Sequence, residues 1–418
     1  MIGDNPRQLM DSNGALTGIR ILDLSRVLAG PWATQTLGDL GAEIIKIERP
    51  GNGDDTREWG PPGFDRAGYS AYYASTNRNK RSVTIDIAQP AGQQLIAALA
   101  QRCDVLVENF KVGGAARYGL DYAALGKLNP RLIYCSITGF GQTGPYAPRA
   151  GYDAMIQGMA GLMSITGKPG AEPGSGPQKV GVAVVDLSTG LYAAIAILAA
   201  LVQRGRTNLG QHIDLALLDV AVAMLANQGL NYLATGVAPE RLGNAHPNIV
   251  PYQDFPTRDG WLMLAIGNDG QFAQFCRCAG RPEWSTEERF ATNQQRLAHR
   301  RVLVPMMAEL MQTRGTREWL EALEAAGVPC GPINNIAAVF ADPQVVARGL
   351  RVEIALGAAA GNTGAPVPGI ASPLRLSAAP VSYRLPPPAL GAHTREVLHQ
   401  VLSLSDAQID ALAQQGVI

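Results

Sequence analysis

The amino-acid sequence predicts an α/β protein, with a large domain built on a doubly wound parallel sheet and a smaller α+β domain after it. Three observations carry that expectation. Strand-like and helix-like runs alternate through the first third of the chain, which is the signature of parallel βαβ units. Beyond about Ala238 the texture changes to shorter, mixed segments. At 418 residues the chain is also too long for one ordinary hydrophobic core, so two domains are expected.

Taken in order, GIRILDL (Gly18 to Leu24) reads as a buried strand, and GPWATQTLGDLGA (Gly30 to Ala42) as a helix opened by Pro31 and closed by Gly41. EIIKIER (Glu43 to Arg49) is the second strand, followed by a Pro-Gly turn. RSVTIDI (Arg81 to Ile87), a helix over Pro90 to Arg102, and DVLVENF (Asp104 to Phe110) repeat the unit. RLIYCSIT (Arg131 to Thr138) is a further strand. Sheets of this kind bind ligands at the carboxyl ends of their strands. Gly139 to Gly151 and Lys168 to Gln178 are loops by turn chemistry and flank a helix around Ala154 to Met163. A long apolar helix, Leu187 to Val202, falls short of a bilayer span. The later segments hold the strand-like WLMLAIG (Trp261 to Gly267) and helices around Gln271 to Ala279, Arg301 to Gln312 and Arg317 to Ala326. The expected division is 1–225 for the first part of the large domain, 238–340 for the small domain and 341–418 for a segment returning to the large one.

Hydrophobic residues make up 46% and charged residues 17%, with 35 basic against 35 acidic side chains. That balance argues against nucleic acid as the main partner, so a polyanionic ligand must be met by a local cluster of Arg and Lys. Five cysteines without a CxxC pair suit a reducing compartment. The opening MIGDNPRQLMDSNG has no signal-peptide pattern. A cytoplasmic protein that does not enter a membrane is expected.

Several patterns compete for the chemistry. GFGQTG (Gly139 to Gly144) matches GxGxxG after a strand, but Pro145, Pro148 and Gly151 follow where a helix should open, which weakens a nicotinamide-dependent oxidoreductase. No GxSxG or HExxH occurs, and the five histidines are too scattered for a metal site. His246, in RLGNAHPN, lies either near substrate or in a loop whose backbone it satisfies. Arg49, Lys80, Arg81 and Arg117 sit at or near strand ends, where together they suit a ligand with several phosphates. One carboxylate, Asp186, stands between a strand-like apolar segment and the long apolar helix. An Asp there is ordinarily a helix N-cap.

In SRVLAGP (Ser25 to Pro31), LGDLGAEIIKIERPGNGDDTR (Leu37 to Arg57), NRNKRSVTIDI (Asn77 to Ile87), LNPRLIYCSITGFGQTGP (Leu128 to Pro145), AGYDAMIQGMAGLMSITG (Ala150 to Gly167) and GVPCGPINN (Gly327 to Asn335), the chain resembles the class III CoA-transferases, the formyl-CoA and carnitine CoA-transferase family. The resemblance implies a Rossmann-like large domain, an interlocked homodimer, and a CoA thioester as substrate with no metal and no tightly bound cofactor. It places the nucleophile at Asp186, CoA phosphates on Arg49 and Arg117, and the CoA path along Ile85, Asn109 and Phe110. The acyl group would meet Arg26, Leu28, Trp59, Tyr72 and Tyr152. GDDTREWGPP and RLGNAHPNIVPYQDF look most like the dicarboxylate branch, which implies transfer from succinyl-CoA to an acid such as glutarate or itaconate, with Arg26 on the distal carboxylate. The rivals are an α-methylacyl-CoA racemase, whose Gly-His-Asp triplet is here Gly151, Tyr152, Asp153, and a CoA-binding protein without activity.

Overall fold

The computed structural model describes residues 14–64, 68–355 and 366–418; the first thirteen residues, read above as free of a targeting signal, lie outside them. The described residues form two compact units. One gathers those of Met1–Ala160, Gly181–Met224 and Gln344–Ile418, the other Gly161–Val180 and Leu225–Pro343. Residues 161–180, taken from the sequence as part of a continuous 1–225 segment, therefore group with the second unit.

The first unit is organised by six strands, β1 (Arg20–Asp23), β2 (Glu43–Glu48), β3 (Lys80–Thr84), β4 (Val105–Glu108), β5 (Ile133–Thr138) and β6 (His212–Ala216). They lie in the order β3-β2-β1-β4-β5-β6 with every neighbouring pair parallel, the doubly wound order whose direction reverses between β1 and β4. The central strands are buried nearly end to end because helices cover both faces. Against one face pack Leu95, Ile96 and Leu99 of α2 (Pro90–Ala100), with Val397, Leu398 and Ile409 from the two C-terminal helices Thr394–Leu402 and Asp406–Gln414. Thr394 Oγ1 accepts from the Thr84 N–H at 2.9 Å, so the chain end is tied to the edge strand β3.

Two further helices matter for the site. One is α1 (Ala29–Asp39); the other, α5 in chain order after α3 (Tyr122–Leu128) and α4 (Asp153–Met159), spans Val184–Thr207. With 24 residues, α5 extends the expected Leu187 to Val202 at both ends. It is long and apolar enough by length and composition to cross a membrane, contrary to the sequence expectation, with 39% of its most apolar window buried inside the protein. Its N-cap is Ala183, so Asp186 is the third helical residue and not the cap. Gly190 lets α5 meet α1: a Cβ there would lie 2.6 Å from the Ala29 carbonyl oxygen and 2.9 Å from Trp32 Cδ1.

The second unit has a three-stranded antiparallel sheet, Cys330–Pro332, Trp261–Ala265 and Tyr252–Pro256. Phe255, Leu262, Phe272, Phe275, Met307 and Trp319 form its core.

A Gly190→Ala substitution forces α1 and α5 apart. It is expected to lower stability by about 1–3 kcal/mol, read as a reduced urea midpoint, and to reduce turnover because both helices begin at the site described next.

Candidate active site

The carboxyl ends of β1 to β5 converge on a cavity of about 890 Å³, lined by Leu24, Ile47, Arg49, Ile85, Phe110 and Gly139, with Tyr152, Asp186 and Leu217 closing it. It lies where the strand order reverses, the place the fold reserves for ligands.

Asp186 reaches this cavity from the first turn of α5. That helix has no side-chain cap of its own. Asp153, at the start of α4, supplies one from outside, its Oδ1 accepting from the Val185 N–H at 2.8 Å and the Asp186 N–H at 3.2 Å. Gln157 Nε2 donates to Asp153 Oδ2 at 2.6 Å. The Asp186 carboxylate itself accepts no hydrogen bond among the described residues. Burial raises its pKa from the ordinary 3.8 to about 7, and the neighbouring Asp153 charge adds to the shift. Desolvation and a like charge therefore outweigh the helix dipole, which alone would favour the ionised form. Beside it, burial and the charges of Asp186 and Asp153 push the Tyr72 hydroxyl up to about 12, so it stays protonated. The Tyr72 ring packs edge-on against Trp59, with centroids 5.2 Å apart.

The turn from β1 into α1 is held on all sides. Ser25 donates to Asp23 Oδ1 through both its N–H and its hydroxyl. Lys46 Nζ donates to the Ser25 carbonyl at 3.0 Å and pairs with Asp54 Oδ2 at 2.9 Å, both side chains fully buried. Asp54 accepts from the Val27 N–H at 3.3 Å, and Val27 has φ 71°, a left-handed conformation costly for a β-branched residue. Among the described residues the N–H groups of Leu28 and Ala29 find no acceptor, and α1 has no side-chain cap.

The structure distributes the sequence-predicted residues unevenly. Arg49, Ile85, Asn109, Phe110, Arg117, Arg26, Leu28, Trp59, Tyr152 and Asp186 all line the one cavity, and Tyr72 stands next to it through Trp59. Arg49 and Arg117 are exposed. Lys80 and Arg81 are not available to a ligand. Lys80 is fully buried against Asp23 at 3.1 Å, with its pKa lowered to about 8 by burial; Arg81 pairs with Glu43 and Glu396. Arg26 pairs with Asp55 at 3.0 Å, both about half exposed. His246 belongs to the second unit, where its Nδ1 accepts from the Asn248 N–H at 3.1 Å and its ring packs on Tyr252, the arrangement of a loop histidine. GFGQTG opens no helix: Gly141 and Gly144 have positive φ and the next helix begins at Asp153. Among the described residues no group of His, Cys, Asp and Glu could hold a metal. Sequence reasoning met Asp153 only as the last residue of the Gly151–Tyr152–Asp153 triplet and missed its role at the start of α5, and it missed Arg149, which lines the cavity and stacks on Tyr146 and Phe140.

The model of "CoA-transferase family III" matches residues 16–394. A succinate–glutarate CoA-transferase of Agrobacterium fabrum is 51% identical over 390 residues, 92% of this chain and 95% of that protein. The human succinyl-CoA:glutarate CoA-transferase is 45% identical over 413 residues, 99% of this chain and 92% of that protein. Among solved structures, a CAIB/BAIF family protein from Brucella suis superposes with a TM-score of 0.81 at 49% identity, covering 93% of this chain and 100% of the other.

Because folding raises the Asp186 pKa, its ionisation opposes folding. The cost is absent below about pH 4, grows between pH 4 and 7, and is complete above pH 7. Asp186→Asn, which mimics the neutral form, is expected to raise Tm at pH 8 and to raise it much less at pH 4.5. An equal shift at both pH values in calorimetry would contradict the assigned cause.

Proposed function

The chain belongs to CoA-transferase family III, and on that premise we propose that it moves CoA from succinyl-CoA to a second short dicarboxylic acid, such as glutarate or itaconate, with Asp186 as the acyl carrier. The observation that carries this reading is the Asp186 carboxylate, undercoordinated and with its pKa raised to about 7, in a cavity that also displays exposed Arg49 and Arg117.

An Asp186 oxygen attacks the thioester carbonyl, the C–S bond breaks, and an aspartyl–succinyl anhydride and CoA thiolate result. The thiolate then attacks the aspartyl carbonyl, releasing succinate and leaving aspartyl-CoA thioester. The acceptor carboxylate attacks that thioester, expelling thiolate and forming a second anhydride. Thiolate attack on the acceptor's carbonyl yields the new acyl-CoA and frees Asp186. Each step exchanges one acyl bond for another, so charge and atoms balance without further reactants. A raised pKa makes the carboxylate more basic and hence a better nucleophile. The orphan N–H groups of Leu28 and Ala29 at the head of α1 are the oxyanion donors.

Arg49 and Arg117 take the CoA phosphates. For the distal carboxylate of the acyl group two cations face the cavity: Arg26, whose exposed pair with Asp55 is weak enough to exchange, and Arg149, which has no carboxylate partner among the described residues. The protein acts as a cytoplasmic homodimer with no tightly bound cofactor. The apolar residues Leu191, Tyr192 and Ile195, exposed on α5, support a partner surface, and five free cysteines support a reducing compartment.

Incubation with succinyl-CoA and then hydroxylamine is expected to leave a hydroxamate at Asp186, and Asp186→Asn to lose transfer by several orders of magnitude; undiminished transfer would end the proposal. The acidic limb of kcat/KM for succinyl-CoA is expected near pH 7. In Asp153→Asn, which keeps an acceptor for the helix N–H groups but removes the like charge, that limb moves to lower pH.

A further inference from the structure

We propose that Asn109, placed above on the CoA path, is instead a positioning residue for acyl transfer, which holds the Ser25–Leu28 turn in the conformation that presents the α1 N–H groups to the reacting carbonyl. The inference rests on the acyl-transfer reading of Asp186. Asn109 follows β4, just beyond the last paired position of β1 and β4, where Asp23 faces Val107 and the Leu24 N–H donates to the Val107 carbonyl at 2.8 Å. Its side-chain amide carries the ladder one step further. Oδ1 accepts from the Arg26 N–H at 2.9 Å, and Nδ2 donates to the Arg26 carbonyl at 2.8 Å. These two bonds imitate a backbone bridge between strands that have already parted.

The opposite side of the turn is gripped by the buried Lys46–Asp54 pair, through the Ser25 carbonyl and the Val27 N–H. Between the two grips lies Val27 at φ 71°. A β-branched residue keeps that conformation only where its surroundings impose it. With one grip gone, Val27 relaxes toward negative φ, and Leu28 and Ala29, the next two residues, turn with it. Asn109 is partly exposed, so it can be altered without burying an unpaired charge, whereas breaking the Lys46–Asp54 pair would do that. Both ends of its amide are engaged by Arg26, which leaves at most one Oδ1 lone pair and one Nδ2 hydrogen for CoA.

The test compares wild type with Asn109→Ala, with CoA itself as the binding probe and succinyl-CoA as the acylating one. Asp186 acylation in a single turnover, read as hydroxamate, is expected to fall by about 10²-fold, the scale of a lost oxyanion donor, while the Kd for CoA by calorimetry stays within twofold. Val27→Gly in the Asn109→Ala background is expected to recover part of the rate, because glycine takes positive φ unaided. A CoA Kd weakened tenfold with the acylation rate at saturation retained would overturn the proposal, as would an unchanged rate. Should Asn109→Ala fail to fold, Asn109→Asp keeps the shape but sets a carboxylate oxygen against the Arg26 carbonyl, and the same loss of rate is expected. Failure of the wild-type enzyme to acylate Asp186 would refute the acyl-carrier reading itself, before any variant is compared.

Discussion

The site depends on a half-buried carboxylate beside a second one. A helix N-terminus favours an ionised Asp by roughly 0.3–1 kcal/mol. A pKa raised to about 7 means that burial and the Asp153 charge oppose ionisation by a few kcal/mol, so they win. The outcome is a side chain more basic than an ordinary exposed aspartate, and for that reason only part-ionised near neutrality. Asp153 acts in both directions. Its Oδ1 bonds to the first N–H groups of α5 hold the helix start that carries Asp186, while its charge makes that same side chain harder to ionise.

Around this pair the protein spends its buried charge on geometry. Lys46–Asp54, Lys80–Asp23 and Arg57–Glu48 are nearly or fully shielded from solvent. Such pairs return little net stability, because desolvation consumes most of the Coulomb gain. What they do is fix atoms: Asp23 ties Lys80 of β3, Thr34 of α1 and Ser25 of the turn to one carboxylate. Arg57 spans Glu48 of β2 and the Pro388 carbonyl of the C-terminal segment. The exposed Arg26–Asp55 pair is of another kind: water competes for both partners, so it holds neither side chain firmly.

Strands buried on both faces were legible because they read as unbroken apolar runs: β2, β4 and β5 lie within the expected segments. β6 was not, since His212–Ala216 is an edge strand half in solvent with a weak pattern. The start of α5 escaped because its cap comes from Asp153, distant in sequence, so no local Ser, Thr or Asp marks the boundary. The cavity's residues were legible chiefly through resemblance. Their partners were not: Lys80 and Arg81 open β3, level with Ile44 and Ile45 near the start of β2, and Lys80 is spent on Asp23, whereas Arg49 lies one residue past the carboxyl end of β2 and is exposed.

Parallel strands make a further demand intelligible. A CoA thioester is polyanionic at one end and must react under dry conditions at the other, because an anhydride exposed to water hydrolyses. All five strands that reach the cavity end on the same edge of the sheet, so one concave rim can present exposed Arg49 and Arg117 near β2 and β4 and the half-buried Asp186 at the head of α5. The strand-order reversal between β1 and β4 opens the gap at the point where β1 must turn into α1. That turn, with Val27 in a left-handed conformation and every backbone group from the Ser25 N–H to the Val27 N–H hydrogen-bonded, is where the wet and dry ends meet. Among the described residues no side chain claims the orphan N–H groups of Leu28 and Ala29, two residues that line the cavity.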